Sequence, residues 1–145
     1  MKRSVFAILC LLFLLTGCEK DNADLLETSQ TENSLVGTWE LRTVSGGWTG
    51  TTEYKPGNGN IYRFTKDTYE RITDGTKYSG KYLLKDGVSS LSNKPIKRII
   101  FYDAHTTPNV DDDFGLLHVE VKDNILVIAM DAYDAGASTY ARKVR

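Results

Sequence analysis

The sequence of 145 residues predicts an all-β fold, namely a small antiparallel up-and-down β-barrel of about eight strands. Three observations support this prediction. Apolar and polar residues alternate along several short segments, as they do in strands with one buried face. Turn-forming residues separate these segments at regular spacing. No segment keeps a helical period over three turns.

About nine segments carry the strand pattern, and residues that favour turns lie between them. They are residues 35–44, 51–54, 61–64, 68–73, 77–84, 97–102, 116–121, 125–130 and 139–144. The pair Asp74-Gly75 predicts a hairpin, because such a pair tolerates positive φ. Residues 85–87 and 122–124 are interpreted as two further turns.

Aromatic residues occupy the predicted inward faces of these strands. Trp39, Tyr62, Phe64, Tyr78 and Tyr82 all fall on such faces. Two interpretations stay open. Either the rings line a pocket whose tyrosine hydroxyls orient an amphipathic ligand, or they fill the core of a barrel with little free space.

The loops contain one large ring and several acidic residues. Trp48 lies in a glycine-rich loop, which favours either a lid or contact surface, or a ring folded back over the barrel mouth. Three consecutive acids occupy residues 111–113, but they lack the spacing of an EF-hand, so we interpret them as a solvated loop. Asp131 and Asp134 receive the same interpretation.

The N-terminal segment differs in composition from everything after it. Lys2 and Arg3 precede an unbroken apolar run over residues 5–15, which ends in small residues. A basic start, a short apolar stretch and small residues before a cleavage point are typical of a secretory signal peptide. Eleven helical residues would span only about 16 Å, roughly half of the hydrocarbon core, so this run is too short for a membrane anchor.

Residues 14–18, with the sequence LLTGC, closely resemble the lipobox of bacterial lipoproteins. The resemblance implies cleavage after Gly17, transfer of a diacylglyceryl group to the Cys18 sulfur, and acylation of the new amino group by a fatty acid such as palmitate. Glu19 in place of an aspartate implies the outer membrane. The acidic start of the mature chain also resembles the surface-export signals of Bacteroidetes lipoproteins, and an ordinary solvated tether is the alternative.

This assignment divides the chain into three parts. Residues 1–17 are the signal peptide, residues 18–34 are a lipidated flexible tether, and residues 35–145 form the barrel domain. The expected location is the outer membrane, lipid-anchored and facing either the periplasm or the cell surface. Cleavage removes two basic residues and no acids, which changes the net charge from −1 to −3.

The first and last strands carry a second resemblance. Gly37 and Trp39 form a motif similar to the Gly-x-Trp that opens lipocalins and related calycin barrels, and Arg142 matches their terminal arginine. Carried over, the resemblance implies that Trp39 closes one end of the barrel and that Arg142 covers its ring. The whole of residues 35–145 resembles the short lipocalin-like domains of Bacteroidetes lipoproteins.

Composition and motifs speak against several functional classes. A net charge of −1 provides no basic surface for nucleic acid. His105 and His118 are the only histidines and lack the spacing of a zinc site. After cleavage no thiol other than Cys18 remains, and no Gly-x-Ser-x-Gly motif or phosphate-binding loop is present. We therefore expect no catalytic activity, no cofactor and no metal.

The function expected from these features is that of an envelope lipoprotein whose barrel binds a small hydrophobic or amphipathic ligand. The alternative is a sealed barrel that acts through its loops as an interaction or inhibitor module for another envelope protein. The barrel interior distinguishes them. A cavity of about 300 Å³ or more favours a ligand, whereas an interior filled by side chains favours the alternative.

Overall fold

A computed structural model of the chain describes residues 33–47, 50–103, 105 and 117–143. Nine β-strands account for most of these residues. They are β1 (Gly37–Gly46), β2 (Gly50–Glu53), β3 (Ile61–Phe64), β4 (Thr68–Thr73), β5 (Thr76–Val88), β6 (Pro95–Tyr102), β7 (Leu117–Lys122), β8 (Ile125–Met130) and β9 (Ala137–Arg142). In the part of the chain that is described, no helix is long and apolar enough to cross a membrane.

The strands form one antiparallel sheet that closes on itself. Each strand from β3 to β9 pairs with its sequence neighbour, and β1 pairs with both β3 and β9. Eight strands therefore close the barrel, and β2 is an extra strand that pairs only with the second half of β1. The predicted all-β up-and-down barrel is confirmed. Closure pairs edges that would otherwise expose free backbone groups.

The strand bounds lie within two residues of those predicted, except at the C-terminal end of β5. The turn predicted at residues 85–87 is wrong, because β5 continues to Val88 and turns only over residues 89–94. In the structure Asp86 pairs with Lys97 across the β5–β6 ladder, and their side chains form an ion pair. Gly87 has no positive φ, so nothing in its backbone interrupts the strand.

The core of the barrel is formed by alternate residues of every barrel strand. It contains one tryptophan, three other rings and four aliphatic residues: Trp39, Tyr62, Phe64, Tyr82, Ile99, Val119, Leu126 and Ile128. Tyr69, Phe101 and Tyr140 are partly buried against it. Both faces of β6 are apolar, so the sequence does not predict which face is inward. In the structure Ile99 and Phe101 form the inward face.

A register shift between Leu41 and Thr43 makes β1 bulge at Arg42. Before the bulge, Leu41 pairs with Tyr140, and beyond it Val44 pairs with Ser138. An extra residue in one strand reverses the side-chain alternation, so Leu41 and Val44 both face the interior although they are three residues apart.

Candidate functional site

One end of the barrel is closed by Trp39 and Arg142. The indole of Trp39 is fully buried and donates its N–H to the carbonyl of Leu35 at 2.8 Å. The Arg142 guanidinium lies over the indole, with Cζ 4.1 Å from the ring centroid. Gly37 leaves the room this requires, because a Cβ at that position would collide with the guanidinium. This is the arrangement that the lipocalin resemblance implies.

Stacked aromatic rings fill the middle of the barrel. Tyr62 stacks on Phe64 at 5.2 Å and on Phe101 at 5.9 Å between ring centroids. Tyr82 meets Phe64 edge-on at 5.3 Å and donates its hydroxyl to the carbonyl of Thr65 at 2.7 Å. Such offset and edge-on contacts are favourable, and they leave little space for a ligand.

A cavity of about 220 Å³ lies above these rings, at the opposite end of the barrel from Trp39. Its walls come from β1, β3, β4 and β9 and from the segments around β2 and after β4. The lining residues are Leu41, Val44, Tyr54, Asn60, Ile61, Tyr62, Arg71, Ile72, Thr73, Asp74, Ser138 and Tyr140. The volume is below the roughly 300 Å³ expected above of a ligand-binding interior, so the predicted ring-lined pocket is not formed and only a smaller compound would fit.

The cavity exists because the barrel wall changes partners at this end. β3 has only four residues, so its pairing with β1 covers Gly37–Glu40 and goes no further. From Thr43 onward, the same edge of β1 pairs with β2 instead. The wall between β1 and β4 is therefore made by the segment 54–60 and not by a strand.

Buried polar groups hold this segment in place. The Glu40 side chain is 4% exposed and accepts hydrogen bonds from the Gly57 N–H at 3.0 Å and from Arg42 at 2.8 Å. Burial opposes the ionisation of Glu40, yet the bonds from Gly57 and Arg42 hold its pKa below the ordinary value. Asn60, also buried, accepts from the Asp74 N–H at 2.9 Å and so connects the segment to the β4–β5 turn.

Arg71 is the cationic residue of the cavity lining. Its Cζ lies 4.8 Å from the centroid of the Tyr78 ring. Its Nε is buried and has no hydrogen-bond partner, and no described carboxylate forms an ion pair with it. Burial lowers the pKa of Arg71. The hydrogen bond with Tyr62 and the electrostatic interactions with Tyr62, Tyr140 and Tyr69 outweigh burial and raise the pKa above its ordinary value, so the guanidinium is charged at neutral pH.

Tyr62 and Tyr140, two tyrosines beside Arg71, are neutral at physiological pH. Burial raises the pKa of Tyr62, and the hydrogen bond with Arg71 only partly offsets this. Burial and the neighbouring Tyr62 raise the pKa of Tyr140 to about 12, against opposing effects of Ser138 and Arg71. The cavity floor thus combines one positive charge with neutral hydroxyls.

The structure separates the predicted ligand-binding residues. Tyr62 lines the cavity, and Tyr78 lies at its edge beneath Arg71, with 47% of its surface exposed. Phe64 and Tyr82 are packed in the core below and do not line the cavity. Trp48 lies outside the described residues, as do Cys18 and the acidic residues 111–113.

Other predicted residues occupy ordinary strand or loop positions. His118 is on β7, paired with Arg98 and Ala129. Within the described ranges, no three histidine, cysteine or acidic side chains come close enough to hold a metal ion. Asp131 differs from the solvated loop residue expected, because its side chain is only 9% exposed and accepts hydrogen bonds from Ser89 and Ser90.

Sequence reasoning missed Arg71, Ser138 and Tyr140 as site residues. The sequence predicts a strand over residues 68–73 but assigns no inward face to it, so it does not place Arg71 in the barrel. The last strand was predicted to begin at residue 139, which placed Ser138 in a loop. The sequence carries no signal for the site, because it is the pairing of Arg71 with Tyr62 across the β3–β4 ladder that brings these two side chains together.

Comparison with protein-family models, with curated proteins and with solved structures gave no match for this chain. The cavity at the end of the barrel opposite Trp39 is named the mouth cavity, and its geometry is the basis on which a function is proposed.

Proposed function

We propose that this protein is a lipid-anchored envelope protein whose barrel binds a small amphipathic molecule in the mouth cavity. The observation that supports the proposal is the composition of the lining. Leu41, Val44 and Ile72 supply apolar surface, while Arg71 and Ser138 supply a few polar groups. Ligand sites combine mostly apolar walls with a small number of polar groups that fix orientation.

The size of the cavity limits the ligand. About 220 Å³ corresponds to roughly seven water molecules at their liquid volume, and so to a compound of roughly ten non-hydrogen atoms. A long lipid along the barrel axis has no space, because Tyr62, Phe64 and Phe101 stack across the middle. The proposed ligands are therefore limited to the smaller members of the ligand class expected from the sequence.

The experiment is native mass spectrometry of the protein purified from its own host, wild type and two phenylalanine variants. Ser138→Phe fills the cavity, and the matched control Thr139→Phe adds the same bulk to the outer face of β9. We expect a co-purifying mass on the wild type and on T139F, reduced about tenfold or more on S138F.

A protein that carries no small molecule, or one whose bound mass survives S138F, would contradict binding in the mouth cavity. That outcome would favour the alternative of an interaction or inhibitor module, since the lower barrel is sealed and would then serve only to present loops to another envelope protein.

The anchor is a separate part of the proposal and is supported by the lipobox-like residues 14–18. Two or three acyl chains on Cys18 would bind the membrane firmly, because each buried methylene contributes about 0.8 kcal/mol. Cys18→Ser should move the protein from the membrane fraction to the soluble fraction, and Cys10→Ser is the control that should not. Membrane retention of C18S would refute lipidation at this residue.

A further inference from the structure

No carboxylate among the described residues forms an ion pair with Arg71, whereas three other described arginines do pair with carboxylates. Arg42 lies 2.8 Å from a Glu40 oxygen, and Arg63 forms an ion pair with Glu70. Arg98 lies 3.7 Å from an Asp131 oxygen. Arg71 instead lies over the Tyr78 ring and interacts with Tyr62, and its buried Nε has no hydrogen-bond partner in the described part of the chain.

Arg71 is partly buried, and its described neighbours provide rings and hydroxyls but no paired carboxylate. A hydrogen-bond donor that is buried without an acceptor is unfavourable, and the Arg71 Nε is such a donor. The position therefore suits a ligand that brings the missing negative charge into the barrel.

We infer that the mouth cavity binds a small monocarboxylate with an apolar or aromatic body, and that the Arg71 guanidinium holds its carboxylate group. This inference rests on the proposed function and names the ligand class for the same site. A guanidinium presents a planar fork that matches a carboxylate with two parallel hydrogen bonds.

The other lining residues favour a ligand with one negative charge over a ligand with two. Leu41 and Val44, which face the interior, line the space left for the body of the ligand, and Ser138 offers one further hydroxyl. Asp74 lines the same cavity, and its repulsion of a ligand grows with the ligand's negative charge. A dicarboxylate or a doubly charged phosphate is therefore disfavoured relative to a monocarboxylate.

The test compares two probes of equal size that differ in charge. Phenylacetate and phenylacetamide are titrated by calorimetry at neutral pH into the full-length protein purified in a non-ionic detergent. We expect the wild type to bind phenylacetate about tenfold more tightly than the amide, because only the anion neutralises Arg71.

Two variants assign the preference to Arg71. Arg71→Met should bind both probes equally, and Arg63→Met, which removes a charge from the outer face of the adjacent strand, should keep the wild-type preference. Should R71M fail to fold, Arg71→Lys retains the charge without the planar fork and should lose several-fold of the preference.

The outcomes separate this inference from the proposed function. Equal binding of both probes to the wild type, blocked by S138F, would overturn the carboxylate inference and leave ligand binding in the cavity standing. A preference that survives in R71M, or is unchanged in R71K, would overturn it as well. Failure of the wild type to bind either probe would refute the inference, and an empty cavity in host-purified protein would refute the proposed function too.

Discussion

Arg142 on β9 joins the start of β1 and the residues before it to the turn between β7 and β8, at the closed end of the barrel. It donates from Nε to Asn124 at 2.8 Å, from Nη1 to the Val36 carbonyl at 2.9 Å and from Nη2 to the Ser34 carbonyl at 2.6 Å. The same guanidinium covers the Trp39 ring. Only an arginine has the planar fork needed to make these contacts together.

Replacing this side chain should be costly. Arg142→Met removes the cation–π contact and three charge-assisted hydrogen bonds, so we expect a loss of about 2–4 kcal/mol in the free energy of unfolding. Urea denaturation measures it. Lys143→Met is the control, because its exposed side chain lies 4.0 Å from Glu40 and should change stability by less than about 1 kcal/mol. Equal effects of the two variants would contradict the role given to Arg142.

Asp131 connects the β8–β9 loop to the β5–β6 turn. The Ser89 hydroxyl donates to it at 2.7 Å and the Ser90 N–H at 2.8 Å, and Arg98 lies nearby. These hydrogen bonds, that from Ser89 first, lower the pKa of Asp131, although burial opposes them. The lowered pKa means that the folded protein favours the ionised carboxylate.

The sign of the resulting pH dependence follows from the direction of this shift. A carboxylate with a lowered folded-state pKa contributes stability above its unfolded pKa, near pH 4, and loses it as the pH falls through the folded value. Asp131→Asn should therefore be less stable than wild type at pH 7, and the difference should shrink below about pH 4. Asp134→Asn, in the same loop and exposed, is the matched control. A difference that is constant with pH would contradict an ionised Asp131 as the stabilising group.

At the scale of elements, β5 depends on the absence of a side chain at Gly80. A Cβ there would lie 2.5 Å from the Tyr102 carbonyl oxygen and 3.0 Å from the Tyr69 ring. Tyr69 pairs with Gly80 across the β4–β5 ladder, and its ring also contacts Phe101 at 4.6 Å between centroids. The absence of a side chain at Gly80 thus leaves room for the Tyr69 ring and the Tyr102 carbonyl.

Gly80→Ala should force β5 away from β6 or displace Tyr69, at a cost of about 1–3 kcal/mol. The control is Ser79→Ala, on the opposite face of the same strand, which should be close to neutral. Thermal unfolding of both variants is the measurement. Stability of G80A equal to that of wild type would show that the strand accommodates a methyl group, contrary to the geometry described.

The strands were predictable where alternation and turn chemistry agree. The bounds of β3, β4 and β8 follow from the sequence, and the hairpin at Asp74-Gly75 has the positive φ values its residues favour. The extension of β5 to Val88 was not predictable, because it depends on the β6 strand that pairs with it. Asp86-Gly87 is compatible with either a turn or a strand until that partner is known.

The candidate site was less predictable than the fold, for a reason that belongs to the whole molecule. The aromatic residues on inward faces were identified, but which of them border free space depends on the height at which each strand crosses the barrel. Tyr62 borders the cavity, whereas Phe64, two residues further along β3, is packed in the core. The spacing of residues in the sequence does not reveal how far along the barrel axis each side chain lies.

The two ends of the barrel have different roles in this account. The chain enters at the closed end, where Arg142 binds the carbonyls of Ser34 and Val36. The cavity lies at the other end, where β3 is short and the segment 54–60 forms the wall.

The most direct measurement of the central claim is a crystal structure of the protein purified from its own host without added ligands. We expect electron density for a compound of roughly ten non-hydrogen atoms in the mouth cavity, with its carboxylate hydrogen-bonded to the Arg71 guanidinium. A mouth cavity that contains only water, or a compound bound elsewhere on the barrel, would contradict it.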